Sequence, residues 1–313
     1  MKPEIVLTTQ IFPPTQAILE NEFTCHKLHE APDREALLKE IAPRVRALAT
    51  FGAAGGANAQ LMDALPKLEL ISNFGVGVDA IDLAAAKQRG IIVTNTPDVL
   101  NDCVADAAMA LTLNVLRKYP QAEAYLRSGY WGTRGDYPLT TSLSGKTMGV
   151  LGLGRIGEAI ARRALAFGMK IRYHNRHRKD VPYEYDADAV ALARNSDVLM
   201  IATPGGAGTK AMVGAKVLDA LGPRGYLVNI ARGSVIDEPV LLEYLEQAKI
   251  AGAGLDVFAN EPRISPDFFA LDNAVILPHV GSATNETRTA MGDLQIENLR
   301  LHFAGKPVRT RVV

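Results

Sequence analysis

Cysteine is scarce in this chain of 313 residues, with only Cys25 and Cys103 present. The two form no CxxC and have no metal-ligand spacing. No disulfide framework or cysteine-based metal centre is therefore expected, and a reducing, cytoplasmic setting is the natural one. Tryptophan occurs once, as Trp131, and net charge is missing, since Lys+Arg 34 balance Asp+Glu 34. That balance argues against nucleic acid or an anionic membrane surface as a partner. Long apolar runs are lacking too. The most apolar stretch, Val99 to Leu116, is interrupted by Asn101, Asp102, Asp106 and Asn114 and reads as a buried helix, not a membrane span. Residues 1–10 show no basic region followed by an apolar stretch and cleavage site, and read as a first strand. No low-complexity segment, charge block or short repeat is visible. At 48% hydrophobic and 22% charged, the chain has ample core for a soluble protein, and its length suggests two domains.

What is present is an alternation of short β-rich runs with helical patterns, the mark of parallel α/β sheets. The first block predicts strands at Glu4–Thr8, Phe23–Lys27, Val45–Thr50, Leu68–Phe74 and Ile91–Asn95. Helices fall between them, for example Asp33–Ile41, Ala57–Ala64 and Leu83–Arg89. Pro97 ends this block, and a long helix over Val99–Leu116 is expected to follow, capped by Asp98. Tyr130–Thr141, rich in glycine and aromatics, has neither period and reads as an extended arm or loop. Six strands are expected after it, at Thr147–Leu151, Lys170–Asn175, Asp197–Ala202, Tyr226–Ile230, Gly252–Val257 and Val275–Leu277. A final helix over about Glu286–Phe303 ends at Gly305.

The second block opens with an apolar run that leads straight into Gly152-Leu153-Gly154-Arg155-Ile156-Gly157. A helical pattern follows, and that strand–turn–helix context is what gives Gly-x-Gly-x-x-Gly its meaning. Gly152 allows the tight turn, Gly154 lets a pyrophosphate approach the backbone, and Gly157 lets helix and strand pack closely. The N–H groups near Arg155 and Ile156 become the anion site. A glycine-rich turn that binds nothing is the plain alternative.

In the usual arrangement an acid about 20 residues beyond the fingerprint accepts hydrogen bonds from the adenosine ribose. Here the second strand ends Tyr173-His174-Asn175-Arg176-His177-Arg178-Lys179, with no acid. Asn175 and Arg176 suit a 2′-phosphate, with Arg178 or Lys179 adding attraction, so NADP(H) is expected over NAD(H), which would be used less efficiently. A solvated basic turn is the bland alternative.

Chemistry in such sheets lies beyond the carboxyl ends of the strands. Three candidates stand there: Arg232 in Ile-Ala-Arg-Gly-Ser, Glu261 in Ala-Asn-Glu-Pro, and His279 in Leu-Pro-His-Val-Gly-Ser. Singly they read as a surface charge, a turn and a structural histidine. Together they suit reduction of a 2-oxo acid. Arg232 offers a planar fork to a carboxylate and its neighbouring carbonyl, and His279 as imidazolium can protonate the alkoxide. Glu261 on the other ring nitrogen would hold the ring and favour its charged form. No metal site is expected.

These residues resemble the D-2-hydroxyacid dehydrogenases, and among them the NADPH-dependent glyoxylate/hydroxypyruvate reductase branch. The resemblance runs through Asn73-Phe74-Gly75-Val76-Gly77-Val78-Asp79, the glycine fingerprint, Ala231-Arg232-Gly233-Ser234-Val235-Ile236-Asp237-Glu238, Gly254-Leu255-Asp256-Val257-Phe258 and Pro278-His279-Val280-Gly281-Ser282. It implies Arg232, Glu261 and His279 as catalytic residues, and the Val76 and Gly77 N–H groups, with Ser282, as substrate contacts. Phe74 and the run Phe51–Gly56 are expected to shape the substrate pocket. Asp256 would meet the nicotinamide carboxamide, and Thr203, Pro204, Ile230 and His279 would also touch the cofactor.

The implied fold is two Rossmann-like α/β lobes with the active site in the cleft between them. One is a flavodoxin-like substrate domain (residues 1–98 and 286–313); the other is a dinucleotide-binding domain (99–285). A homodimer is implied, with the arm around Trp131 in its contact, and the partner is a small 2-oxo or 2-hydroxy acid. A bulkier substrate such as hydroxyphenylpyruvate, or a corepressor-like dinucleotide sensor, are the rival readings. The end of the chain at Val313 argues against phosphoglycerate dehydrogenase, and Glu261 against formate dehydrogenase. Pro204-Gly205-Gly206-Ala207-Gly208-Thr209 departs from the family's Leu-Thr-Pro-Glu-Thr type segment, and Asp106 stands where Glu is usual.

Overall fold

The computed structural model describes residues 2–313, apart from the side chains of Ala53 and Ala54. Those two residues of the expected pocket-shaping run therefore lie outside what is described. The chain forms two compact units: residues up to Leu100 together with Thr284–Val313, and Asn101–Ala283.

The first unit opens with β1 (Glu4–Leu7), α1 (Pro13–Glu22), β2 (Thr24–Lys27), α2 (Arg34–Ile41) and β3 (Val45–Phe51). It continues through α3 (Ala59–Asp63), β4 (Leu70–Phe74), α4 (Leu83–Gln88) and β5 (Ile92–Thr94). Helix starts follow local chemistry: the side chains of Asp33, Asn58 and Asp82 each accept the N–H of the residue three further on. The five strands are parallel in the order β2-β1-β3-β4-β5, a flavodoxin-like arrangement. All five residues of β4 are buried, as in a sheet covered on both faces.

The second unit begins with α5 (Asn101–Arg117), α6 (Tyr119–Arg127) and α7 (Tyr130–Arg134). Then come β6 (Thr147–Leu151), α8 (Arg155–Ala166), β7 (Lys170–His174), β8 (Glu184–Tyr185), α9 (Ala189–Arg194) and β9 (Val198–Ile201). It closes with α10 (Ala215–Leu221), β10 (Tyr226–Asn229), α11 (Glu238–Glu246), β11 (Gly252–Leu255) and β12 (Ala274–Ile276). The sheet order is β12-β11-β10-β9-β6-β7-β8, with every pairing parallel. From β6 the chain steps outward to β7 and β8, then returns past β6 to β9. The switch point of a dinucleotide fold therefore falls between β6 and β9. Asp102 and Asp106 on α5 both pair with Arg163 on α8, at 3.0 and 2.6 Å.

Three expectations are corrected. The sheet has seven strands, not six, because Glu184–Tyr185 adds an edge strand too short to show a period. Arg172 on β7 pins it by forking onto Asp186 at 2.8 and 2.9 Å and pairing with Glu184. The segment after β9 is thus the loop of the fourth strand. The arm is not irregular throughout, since Tyr130–Arg134 is a short helix. Tyr125 packs edge-on to Tyr130 and Tyr137, and Arg134 covers the Tyr130 ring. Finally, α5 starts at Asn101, two residues later than expected, and Asp98, at φ 70°, stands three residues before it.

The last helix, α12 (Asn285–Phe303), returns to the first unit and lies against β4. Its buried Gln295 donates to the carbonyls of Thr50 (3.2 Å) and Ser72 (2.8 Å).

Candidate active site

The glycine fingerprint joins β6 to α8 by close backbone approach. Gly152 sits at φ 100°, and a Cβ there would lie 2.6 Å from the Thr203 nitrogen. At Gly157 a Cβ would meet the Gly152 carbonyl oxygen at 2.4 Å. Gly154 differs: nothing lies within 4 Å of a Cβ built on it, so the space over it is open. The helix starts at Arg155 with no side-chain cap from Gly154, and the first-turn N–H groups of a helix have no intrahelical acceptor. The arrangement fits a pyrophosphate. Thr203 and the exposed Pro204 follow β9, and the buried Ile230 follows β10. Thr209 closes the glycine-rich loop after β9 by donating its hydroxyl to the Pro204 carbonyl at 2.7 Å.

At the end of β7 the four basic-turn residues separate in role. The Asn175 side chain accepts the Leu153 N–H at 2.7 Å and donates back to the Leu153 carbonyl at 3.4 Å. Lys179 grips the same carbonyl at 3.2 Å and pairs with Glu158. Both therefore hold the fingerprint turn. Arg178 lies over the Tyr185 ring. Arg176 is exposed and has no hydrogen bond or ion pair with the other described residues, which leaves its guanidinium available to a phosphate. The sequence showed the charge of this turn but not the division of labour within it.

His279, Glu261 and Arg232 stand beyond β12, β11 and β10. His279 Nδ1 lies 2.6 Å from Glu261 Oε2, and Glu261 Oε1 accepts the Phe258 N–H at 2.9 Å. Burial alone would raise the Glu261 carboxyl. The His279 hydrogen bond, the Phe258 N–H and the charges of His279 and Arg232 outweigh it and hold the group below the ordinary carboxylate value. The Arg232 loop is shaped by Asn229, wholly buried at the end of β10, which accepts the Ala231 N–H and donates to the Arg232 carbonyl, both at 3.0 Å. Gly233 lies flat on the Phe258–Ala259 peptide, where a Cβ would come within 1.9 Å of the Phe258 carbonyl carbon. The loops carrying Arg232 and Glu261 are thus pressed together at this backbone contact.

His279 has the left-handed φ of 53°, uncommon for a residue with a side chain. Asp256 holds it there. Its carbonyl accepts the His279 N–H at 2.9 Å, and its two carboxylate oxygens accept the Val280 and Gly281 N–H groups at 2.7 and 2.8 Å. The Asp256 side chain, in a residue 2% exposed, is therefore engaged with this turn. Burial pushes its carboxyl up, against the pull of the two N–H groups. Ser282, half-buried, follows directly.

In the first unit, Gly75-Val76-Gly77 forms the turn after β4. Phe74 is corrected as a substrate contact. It is 1% exposed, and its ring meets Phe51 edge-on at 5.1 Å with the Arg288 guanidinium over both. As the last residue of a strand covered on both faces, it packs instead of lining a pocket. Among the described residues no group of three or more His, Cys, Asp or Glu could hold a metal, and no helix is long and apolar enough to cross a membrane.

The family profile for the D-isomer specific 2-hydroxyacid dehydrogenase NAD binding domain matches residues 109–281. Glyoxylate/hydroxypyruvate reductase A of Arabidopsis thaliana is 47% identical over 305 residues, covering 96% of this chain and 97% of the relative. Hydroxyphenylpyruvate reductase of Plectranthus scutellarioides is 47% identical over 296 residues, 94% of each chain. Among solved structures, an NADPH-dependent glyoxylate/hydroxypyruvate reductase from Sinorhizobium meliloti, in complex with NADP and malonate, superposes with a TM-score of 0.92. Its identity is 42%, and the match covers 100% of this chain and 97% of that one. Sheet order, fingerprint and the Arg–Glu–His set agree with the sequence match on one conclusion: the chain belongs to the D-isomer specific 2-hydroxyacid dehydrogenases, enzymes that use a nicotinamide dinucleotide.

Proposed function

We propose that the protein reduces glyoxylate and hydroxypyruvate to the corresponding (R)-2-hydroxy acids with NADPH. The observation that carries this reading is the 2.6 Å contact of His279 with a Glu261 carboxylate held ionised beside Arg232. The relatives named for glyoxylate and hydroxypyruvate, one of them NADPH-dependent, support the substrate and cofactor.

The second unit is the dinucleotide domain in this proposal. The open space over Gly154 and the uncapped start of α8 would take the pyrophosphate, and Arg176 the 2′-phosphate. Thr203, Pro204 and Ile230 border the same strand ends. NADPH, when bound, supplies the hydride. Arg232 binds the substrate carboxylate with its planar fork and polarises the neighbouring carbonyl. His279 gives a proton from Nε2 to the carbonyl oxygen as it becomes an alkoxide, while Glu261 holds Nδ1 and balances the imidazolium charge. Asp256 acts by holding the His279 turn. In the first unit, the substrate domain, the Val76 and Gly77 N–H groups receive the carboxylate.

A bulkier aromatic 2-oxo acid is the second reading. A cavity of about 300 Å³ lined by Phe258, Ile264, Phe269, Ile276 and Leu277 borders Glu261 and His279, and one relative is a hydroxyphenylpyruvate reductase. The protein is further read as a homodimer, supported by Leu126, Trp131 and Leu139, which are 57%, 63% and 102% exposed along the arm. A cytoplasmic location is supported by two cysteines that form no disulfide. The deciding experiment is loss of NADPH absorbance with a panel of 2-oxo acids, repeated with NADH. Steady turnover of glyoxylate and hydroxypyruvate above phenylpyruvates supports the main reading; the reverse order supports the second. Binding of NADPH without turnover of any member overturns both. Light scattering of wild type and Trp131→Ala tests the dimer.

A further inference from the structure

The turn Gly75-Val76-Gly77 is held by its carbonyls. Asn73, 1% exposed, points both N–H groups of its amide at this turn, donating to the Gly75 and Gly77 carbonyl oxygens at 3.0 Å each. Its own oxygen accepts the Gly52 N–H at 3.2 Å, so both donors of the amide are used and its oxygen is engaged as well. The remaining carbonyl, that of Val76, accepts from Asn95 Nδ2 at 2.9 Å. Thr96 closes the pattern: its backbone N–H also donates to the Gly75 carbonyl at 3.0 Å, and its hydroxyl accepts the Gly75 N–H at 2.9 Å.

In a trans peptide, C=O and N–H point in opposite directions from one plane. Fixing the Gly75 carbonyl therefore aims the Val76 N–H away from Asn73, and fixing the Val76 carbonyl aims the Gly77 N–H away from Asn95. Neither the Val76 nor the Gly77 N–H finds an acceptor among the described residues, although both residues are half-buried. Such N–H groups need a partner, and two in succession form a concavity suited to an anion.

We propose that Asn73 and Asn95 are positioning residues for substrate binding. Asn73 sets the Val76 N–H and Asn95 sets the Gly77 N–H, so that the pair receives the carboxylate of a 2-oxo acid. Because Asn73 also holds Gly52, the turn after β3 is fixed by the same amide. The proposal rests on the reading of the Val76 and Gly77 N–H groups as carboxylate donors.

The test uses the full-length protein labelled with ¹⁵N-valine and ¹⁵N-glycine, saturated with NADP⁺ and titrated with oxamate as a 2-oxo acid analogue. In wild type, the Val76 and Gly77 amide resonances should shift on binding. If oxamate binds and neither moves, the carboxylate reading fails and the proposal with it. Given the wild-type shifts, Asn95→Asp should lose the Gly77 response and Asn73→Asp the Val76 response, since each sets an acceptor against a carbonyl. Oxamate affinity and the KM of the 2-oxo acid should worsen about tenfold or more, with dinucleotide affinity unchanged. Asn95→Ala reads the same Gly77 N–H if Asn73→Asp does not fold. Variants of native Tm that bind oxamate as wild type does would overturn the positioning role while leaving the carboxylate reading standing.

Discussion

Glu261 touches His279 with one carboxylate oxygen and the backbone of its own loop with the other, at 2.6 and 2.9 Å. The second contact fixes where the first one points, so the imidazole is oriented by a group that is itself oriented. Held below the ordinary carboxylate value of 4.5, Glu261 stays ionised as pH falls to that value and loses its charge only below it. In Glu261→Gln the hydrogen bond can persist but the charge is gone at every pH. The acid limb of reductive kcat/KM due to Glu261 should then vanish. Superimposable wild-type and Gln profiles would exclude this pairing. His279→Ala should lower kcat on the order of 10²–10⁴-fold with NADPH affinity little changed.

Arg232→Lys keeps the charge but loses the fork. An ammonium cannot offer two parallel donors to a planar 2-oxo carboxylate, so both KM and kcat should suffer. Steady-state kinetics beside Arg232→Ala decide it: recovery by Lys of most of the lost kcat/KM would mean that charge alone suffices.

Gly233→Ala should be damaging although it adds one methyl. The Cβ has nowhere to go but into the Phe258–Ala259 backbone, so the Arg232 and Glu261 loops must part. Overpacking of this kind costs about 1–3 kcal/mol, or more where backbone must move. A lowered Tm with a disproportionate fall in kcat is expected. An Ala variant with wild-type Tm and kcat would show that the two loops are not coupled through this contact.

For the cofactor, the structure narrows the expectation from a basic turn to one side chain. Charge-assisted hydrogen bonds contribute roughly 1.5–3 kcal/mol, so Arg176→Ala should weaken NADPH about ten- to a hundredfold and leave NADH almost unchanged. The ratio of kcat/KM for the two cofactors checks this, and a ratio indifferent to Arg176 would remove it from the phosphate site.

Much of this was legible in the sequence because the elements that matter carry long periodic or compositional signals. The fingerprint sits between an apolar strand and an amphipathic helix, and Arg232, Glu261 and His279 each follow a clear β-rich run. β8 was not legible, since two residues cannot show alternation and its register depends on the Arg172–Asp186 fork across the sheet. Phe74 misled because an aromatic beside a glycine turn reads as pocket lining, and only the full burial of β4 shows that both of its faces are packed. Asn73, Asn95 and Asn229 stood in plain view at strand ends. What a strand-end asparagine holds is a matter of which carbonyls the fold brings to it, and that information is not local.

The Leu153 peptide is gripped from both sides, by Asn175 at its N–H and by Asn175 and Lys179 at its carbonyl. The consequence concerns how such an enzyme changes its cofactor over evolutionary time or at the bench. Replacing the whole basic turn would loosen the fingerprint as well as the ribose pocket, so wholesale swaps should lose expression or heat tolerance before they gain NADH use. Arg176, tethered to nothing else described, is a position of the turn where preference can drift without disturbing the scaffold. Natural exchange between the two dinucleotides in this lineage should therefore begin there.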